Sequence, residues 1–75
     1  MASSNSCYAG IDLGGTTIKF ALIDNDGVVL HSDRCQTGGE DGPDRVLERM
    51  IEGARKMVGK ATDTQIIRAV GVAAP

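Results

Sequence analysis

The stretch Tyr8-Ala9-Gly10-Ile11-Asp12-Leu13-Gly14-Gly15-Thr16-Thr17-Ile18-Lys19-Phe20-Ala21-Leu22-Ile23-Asp24 constrains the fold more than any other. Two apolar runs flank a Gly-Gly pair with no room for a helix between them, so the chain must turn back on itself. Cys7 to Leu13 is short and mostly apolar, which marks a buried strand with a carboxylate near its end. From Thr16 to Asp24, Ile18, Phe20 and Leu22 fall on one face, and Lys19, Ala21 and Ile23 on the other. Asp24-Asn25-Asp26-Gly27 supplies a second hairpin turn, because Asp-Gly tolerates positive φ. Val28 to about Cys35 then forms a third strand, partly exposed at His31, Asp33 and Arg34. These three strands are expected to form an antiparallel meander.

Gln36 to Gly42 is a polar, glycine-rich connection. Pro43 follows at a helix start, where its missing N–H costs least, with Asp41 and Asp44 at the positive end of the helix dipole. Val46, Leu47, Met50, Ile51, Ala54, Met57 and Val58 recur at helical spacing as one apolar stripe. Arg45, Glu48, Arg49, Glu52, Arg55 and Lys56 cover the opposite side, a solvated face with weak ion pairing. Gly59 is placed to end the helix as its C-cap. Ala61 to Gln65 reads as a loop and Ile66 to Ala74 as a fourth, apolar strand that stops at Pro75. The helix is long enough for a crossover, so this strand is expected to pair parallel to the first. A parallel strand needs cover on both faces, and one helix supplies one. The expected fold is thus α/β and the opening part of a larger one.

Composition narrows the function. Seventy-five residues make at most one small domain, and a domain of that size buries only roughly 60–65% of its unfolded surface. An apolar fraction of 41% and a net charge of −2 are those of a globular chain rather than a disordered one. Eight basic and ten acidic residues are interspersed, which gives no footprint for nucleic acid or an anionic membrane. Cys7 and Cys35 stand in no C-x-x-C spacing and read as small packed residues, not as a zinc site or disulfide framework. Residues 1–7 are neutral and serine-rich, expected as a disordered tail with no signal-peptide character. No apolar run reaches the ~20 residues of a membrane span, so a cytoplasmic location is expected.

Gly14-Gly15 has two readings. A Gly-Gly pair between strands serves as a tight turn. It also lets a phosphate approach the backbone, where successive N–H groups and the hydroxyls of Thr16 and Thr17 converge on its oxygens. Asp12 is either a turn-capping aspartate or the carboxylate that holds Mg²⁺, directly or through water. Neither G-x-x-x-x-G-K-[ST] nor a G-x-G-x-x-G that opens a helix is present. Any phosphate grip here belongs to a β-hairpin.

The run "GIDLGGTTIKFALID" followed by "DG" resembles the first phosphate motif of the ROK sugar kinases, within the hexokinase–actin ATPase superfamily. The terminal "AVGVAAP" is similar to the strand that in those kinases runs into a Pro-Gly loop beside the sugar. The resemblance spans about residue 8 to Pro75, with the helix matching in position and kind. It implies the β-β-β-α-β beginning of an actin-like, ribonuclease H-like ATPase domain over residues 8–75, with the rest of the fold beyond. It makes Gly14, Gly15, Thr16 and Thr17 the contacts for the ATP phosphates, Asp12 the metal-proximal carboxylate, and Lys19 a further phosphate contact. Thr17-Ile18-Lys19 is most similar to bacterial ATP-dependent glucokinases, although many members carry lysine where Thr17 stands.

By the same resemblance the general base, the sugar-binding residues, the adenosine pocket and the zinc site of many members have no counterpart before Pro75. His31 is no substitute for that zinc set. The 75 residues alone are therefore expected to phosphorylate nothing. The implied reaction is transfer of the ATP γ-phosphate to glucose with Mg²⁺, by a protein that forms a homodimer when full length. Three alternatives stand beside it. One is a kinase for fructose, N-acetylmannosamine or N-acetylglucosamine, with polyphosphate as a competing donor. Another is a sugar-responsive ROK regulator, which would carry a DNA-binding domain where this chain has a short neutral tail. The third is an inactive truncated module.

Overall fold

The computed structural model describes residues 6–62 and 64–74. The chain runs through β1 (Ser6–Leu13), β2 (Thr17–Asp24), β3 (Val29–Gln36), a 3-10 turn (Gly39–Asp41), α1 (Pro43–Gly59) and β4 (Ile66–Ala73). The strands lie in the order β3-β2-β1-β4. β1–β2 and β2–β3 are antiparallel, and β4 pairs parallel to β1 after the α1 crossover. This is the N-terminal topology of an actin-like, ribonuclease H-like ATPase domain, as the sequence predicts.

The second hairpin follows from its aspartate. Asp24 Oδ1 accepts the N–H groups of Asp26 and Val28, both at 2.9 Å, and Gly27 takes φ 85°. This Asx-type turn closes the backbone without help from elsewhere. Between Leu22 and Ile23 the β2–β3 register shifts by a bulge, and β3 begins at Val29, one residue later than expected. β2 likewise begins at Thr17 rather than Thr16.

Period-two alternation splits the sheet into two faces. On one, Ile11 stands opposite Phe20 and Leu13 opposite Ile18. These side chains form a core with Met57 of α1, joined at the edges by Cys35, Val46, Met50 and Ala54. Gly53 permits the close contact of helix and sheet, since a Cβ there would overlap the Phe20 ring. Cys7 is buried and Cys35 half-buried, both used as small packed residues.

Four expectations are corrected. The apolar stripe of α1 is wider than its contact with the sheet: Leu47, Ile51 and Val58 are 54%, 46% and 40% exposed and line an apolar groove toward Val72 of β4. Gly59 is the last helical residue, not the cap. Lys60 caps in the right-handed region, its N–H returning to the Met57 and Val58 carbonyls, so no left-handed glycine is needed. Asp41 lies in the 3-10 turn and pairs with Arg49 rather than facing the α1 dipole. β1 begins inside the expected tail of residues 1–7: Ser6 pairs with Ile66, and Cys7, read also as the first residue of the strand, pairs with Ile67. Residues 1–5 of that expected tail, Asp63 of the expected loop, and Pro75 lie outside the described residues.

The other sheet face carries no helix. Its side chains form rows across the strands: Gly71, Gly10, Ala21 and Ser32 in one, and Ala73, Asp12, Lys19 and Arg34 in the next. No helix among the described residues is long and apolar enough to cross a membrane.

Candidate functional site

The first hairpin joins β1 to β2 through Gly14, Gly15 and Thr16. Gly14 N–H donates to Thr17 O at 3.0 Å. The turn is so tight that a Cβ on Gly14 would lie 2.8 Å from that same oxygen, so any side chain there would force the loop open. Gly15 has open space around its Cα, and both Gly15 and Thr16 are exposed. Among the described residues no acceptor takes the N–H groups of Gly15 or Thr16. The hairpin tip therefore presents the Gly15 and Thr16 main-chain donors, the Thr17 N–H makes no return bond to Gly14 O, and Thr16 and Thr17 carry hydroxyls in the same stretch. A run of unpaired donors with no Cβ crowding at Gly15 is the chemistry an anion needs.

The hairpin is held from behind by a residue that the sequence left in a featureless connection. Thr37, just past β3, is 6% exposed. Its N–H donates to Thr16 O at 2.9 Å, and its Oγ1 donates to Gly14 O at 2.8 Å. Arg49 of α1 donates to Thr37 O at 2.9 Å and to Gly38 O at 3.3 Å. It also forms an ion pair with Asp41. A solvated helix face was expected to carry Arg49. Instead it reaches across to the hairpin's support, and its guanidinium fork meets two carbonyls and a carboxylate at once.

Asp12 lies one turn of the pleat before the hairpin, exposed on the helix-free face. It stands opposite Lys19 of β2 and Ala73 of β4. Its side chain makes no hydrogen bond among the described residues, so it does not cap the turn; Asp24 does that work in the second hairpin. Lys19 is exposed and stands opposite Arg34 of β3 in the same row. Asp12, Lys19 and Arg34 line an open trough of about 980 Å³ together with Gly10, Ala21 and Gly71. Arg34 was assigned no role from sequence. Only the meander register sets it beside Lys19, and a strand pattern alone does not give that register.

Among the described residues no three His, Cys, Asp or Glu side chains form a metal set. Asp12 is thus a single carboxylate. One carboxylate suits Mg²⁺ that draws its remaining ligands from phosphate oxygens and water, the usual manner for this ion. The structure thus brings Gly14, Gly15, Thr16 and Thr17 together at one tip, with Asp12 and Lys19 on the adjoining strand ends.

Among curated proteins no sequence matches this chain closely enough to count as a relative. The family model described as ROK family matches residues 8–75, from the first strand through the hairpin, crossover helix and fourth strand. That span is nearly the whole chain and includes each hairpin residue and carboxylate described above. The chain belongs to the ROK family, whose members are sugar kinases and sugar-responsive regulators.

Proposed function

We propose that this chain supplies the phosphate-binding hairpin of an ATP-dependent hexose kinase, with glucose as the acceptor. The observation that carries this reading is the hairpin tip, where the Gly15 and Thr16 N–H groups meet no acceptor among the described residues and Thr16 and Thr17 carry hydroxyls in the same stretch. Gly14 to Thr17 bind the ATP phosphates. Asp12 holds Mg²⁺ against those phosphates, and Lys19 adds a positive charge on the same strand pair. Mg²⁺, when bound, neutralises phosphate charge and so favours attack by an alcohol. The hairpin amides orient the phosphoryl group and oppose the charge that grows on its oxygens. No residue of this chain is assigned as the general base, in accord with the family pattern.

Glucose is favoured over other sugars by the Thr17-Ile18-Lys19 version of the motif. The test is a substrate panel on the native protein, with ADP release measured from Mg-ATP and glucose, fructose, N-acetylmannosamine or N-acetylglucosamine. Glucose is expected to give the highest kcat/KM. Preferred turnover of another hexose would move the substrate and keep the kinase. Absence of turnover with every sugar, joined to sugar-dependent DNA binding, would replace the kinase with the family's regulator class.

A further inference from the structure

The two contacts from Thr37 to the hairpin fall on alternate carbonyls. In a planar trans peptide the C=O and the following N–H point in opposite directions. When Thr37 Oγ1 holds Gly14 O, the Gly15 N–H of the same peptide is turned to the other side. When Thr37 N–H holds Thr16 O, the Thr17 N–H is turned away in the same manner. One buried residue thus fixes two peptide planes from one side. Thr37 is held in turn by Arg49 through its own carbonyl, and Arg49 is anchored by Asp41. A chain of contacts runs from α1 through Thr37 to the hairpin.

This arrangement has an internal sign of purpose. An ordinary two-residue hairpin would return the Thr17 N–H to Gly14 O, matching the Gly14 N–H to Thr17 O bond. Here that reciprocal bond is not formed among the described residues. The Thr37 hydroxyl occupies Gly14 O instead. A side chain has replaced the main-chain partner, and the substitution releases a main-chain donor at the tip.

We infer that Thr37 is the positioning residue of the phosphate-binding hairpin, aiming the Gly15 and Thr17 amides at the nucleotide phosphates, with Arg49 as its brace. The inference rests on the phosphate-binding reading of the hairpin given above. It adds two residues from outside the glycine motif and couples the placement of α1 to the grip on phosphate.

The test compares Thr37→Val, which keeps shape and removes the hydroxyl, with Thr37→Ser, which keeps the hydroxyl, in the native protein. Mg-ATP affinity and hydrogen exchange of the Gly14 amide are both measured. Loss of one part-buried hydrogen bond corresponds to about a tenfold change in an equilibrium constant. Thr37→Val is therefore expected to weaken Mg-ATP about tenfold and to speed Gly14 exchange by a similar factor. Thr37→Ser is expected to stay within about threefold of wild type in both. A residue that merely stabilised the fold would lower the melting temperature in Thr37→Val and leave the Mg-ATP affinity of the folded protein unchanged. Arg49→Met, which leaves the hairpin contacts chemically intact, is expected to weaken Mg-ATP in the same direction by a smaller factor, and it serves if Thr37→Val does not fold. Wild-type binding with unchanged affinity in Thr37→Val, or in Arg49→Met where that variant stands in, overturns the positioning role. So does a serine variant as weak as the valine one. Failure of the wild-type protein to bind Mg-ATP at all would instead overturn the phosphate reading itself.

Discussion

Asp12 shows how a single carboxylate can be assigned by what it does not touch. It is exposed, opposite Lys19, and bonds to nothing in the turn beside it. A structural aspartate in a hairpin looks like Asp24, which takes two backbone N–H groups at 2.9 Å. Removal of the Asp12 charge should therefore leave the fold alone and strike the chemistry. Asp12→Asn is expected to lower kcat by about a hundredfold or more, the usual scale for one electrostatic contact at a transferring group. Its unfolding free energy should stay within about 0.5 kcal/mol of wild type, as for an exposed site. Parallel steady-state kinetics and urea titration read the two effects. A loss of stability that matched the loss of activity would return Asp12 to a structural role.

Gly53 sets the distance between helix and sheet, and two effects of opposite sign meet there. Gly→Ala within a helix stabilises by about 0.5–1 kcal/mol through reduced backbone freedom. At this position the new Cβ would overlap the Phe20 ring, and Phe20 is 3% exposed in the core. Overpacking of that kind costs about 1–3 kcal/mol, so the clash outweighs propensity. Gly53→Ala is expected to destabilise by about 1 kcal/mol, measured by denaturant midpoint. The Gly53→Ala/Phe20→Leu double variant should recover part of that loss, and additive effects of the two changes would show that they do not meet. Sequence periodicity placed the elements well because each is locally encoded: alternation in Ile18, Phe20 and Leu22, and the helical spacing of Val46, Met50, Ala54 and Met57. It placed contacts between elements poorly. Periodicity gives Gly53 no role, and Arg49 reads as one charge among several and Thr37 as part of a loop. Each acquires its meaning from a partner outside its own element, at a register that local pattern does not set.

At the scale of the molecule the apolar surface is unevenly covered. Ile66, Val70 and Val72 of β4 are 52%, 50% and 59% exposed, and Val72 shares a groove with the exposed half of the α1 stripe. An exposed apolar edge strand beside an apolar groove favours association. The 75-residue chain taken alone is expected to form oligomers at micromolar concentration, seen by sedimentation velocity. A monodisperse monomer of 7.8 kDa would contradict this. The first hairpin turn was legible from the start, since Gly14-Gly15 between two apolar runs leaves room for little else. The face on which Asp12, Lys19 and Arg34 gather became visible only with strand order. That order also has a temporal side. β1, β2 and β3 are neighbours in sequence and close with short loops, whereas β1 meets β4 by pairs such as Ser6 with Ile66, nearly a chain length apart. Local closure is fast and long-range closure slow. On a ribosome the glycine hairpin and its neighbouring strands would emerge and pair early, leaving one side of β1 without its partner until β4 arrives.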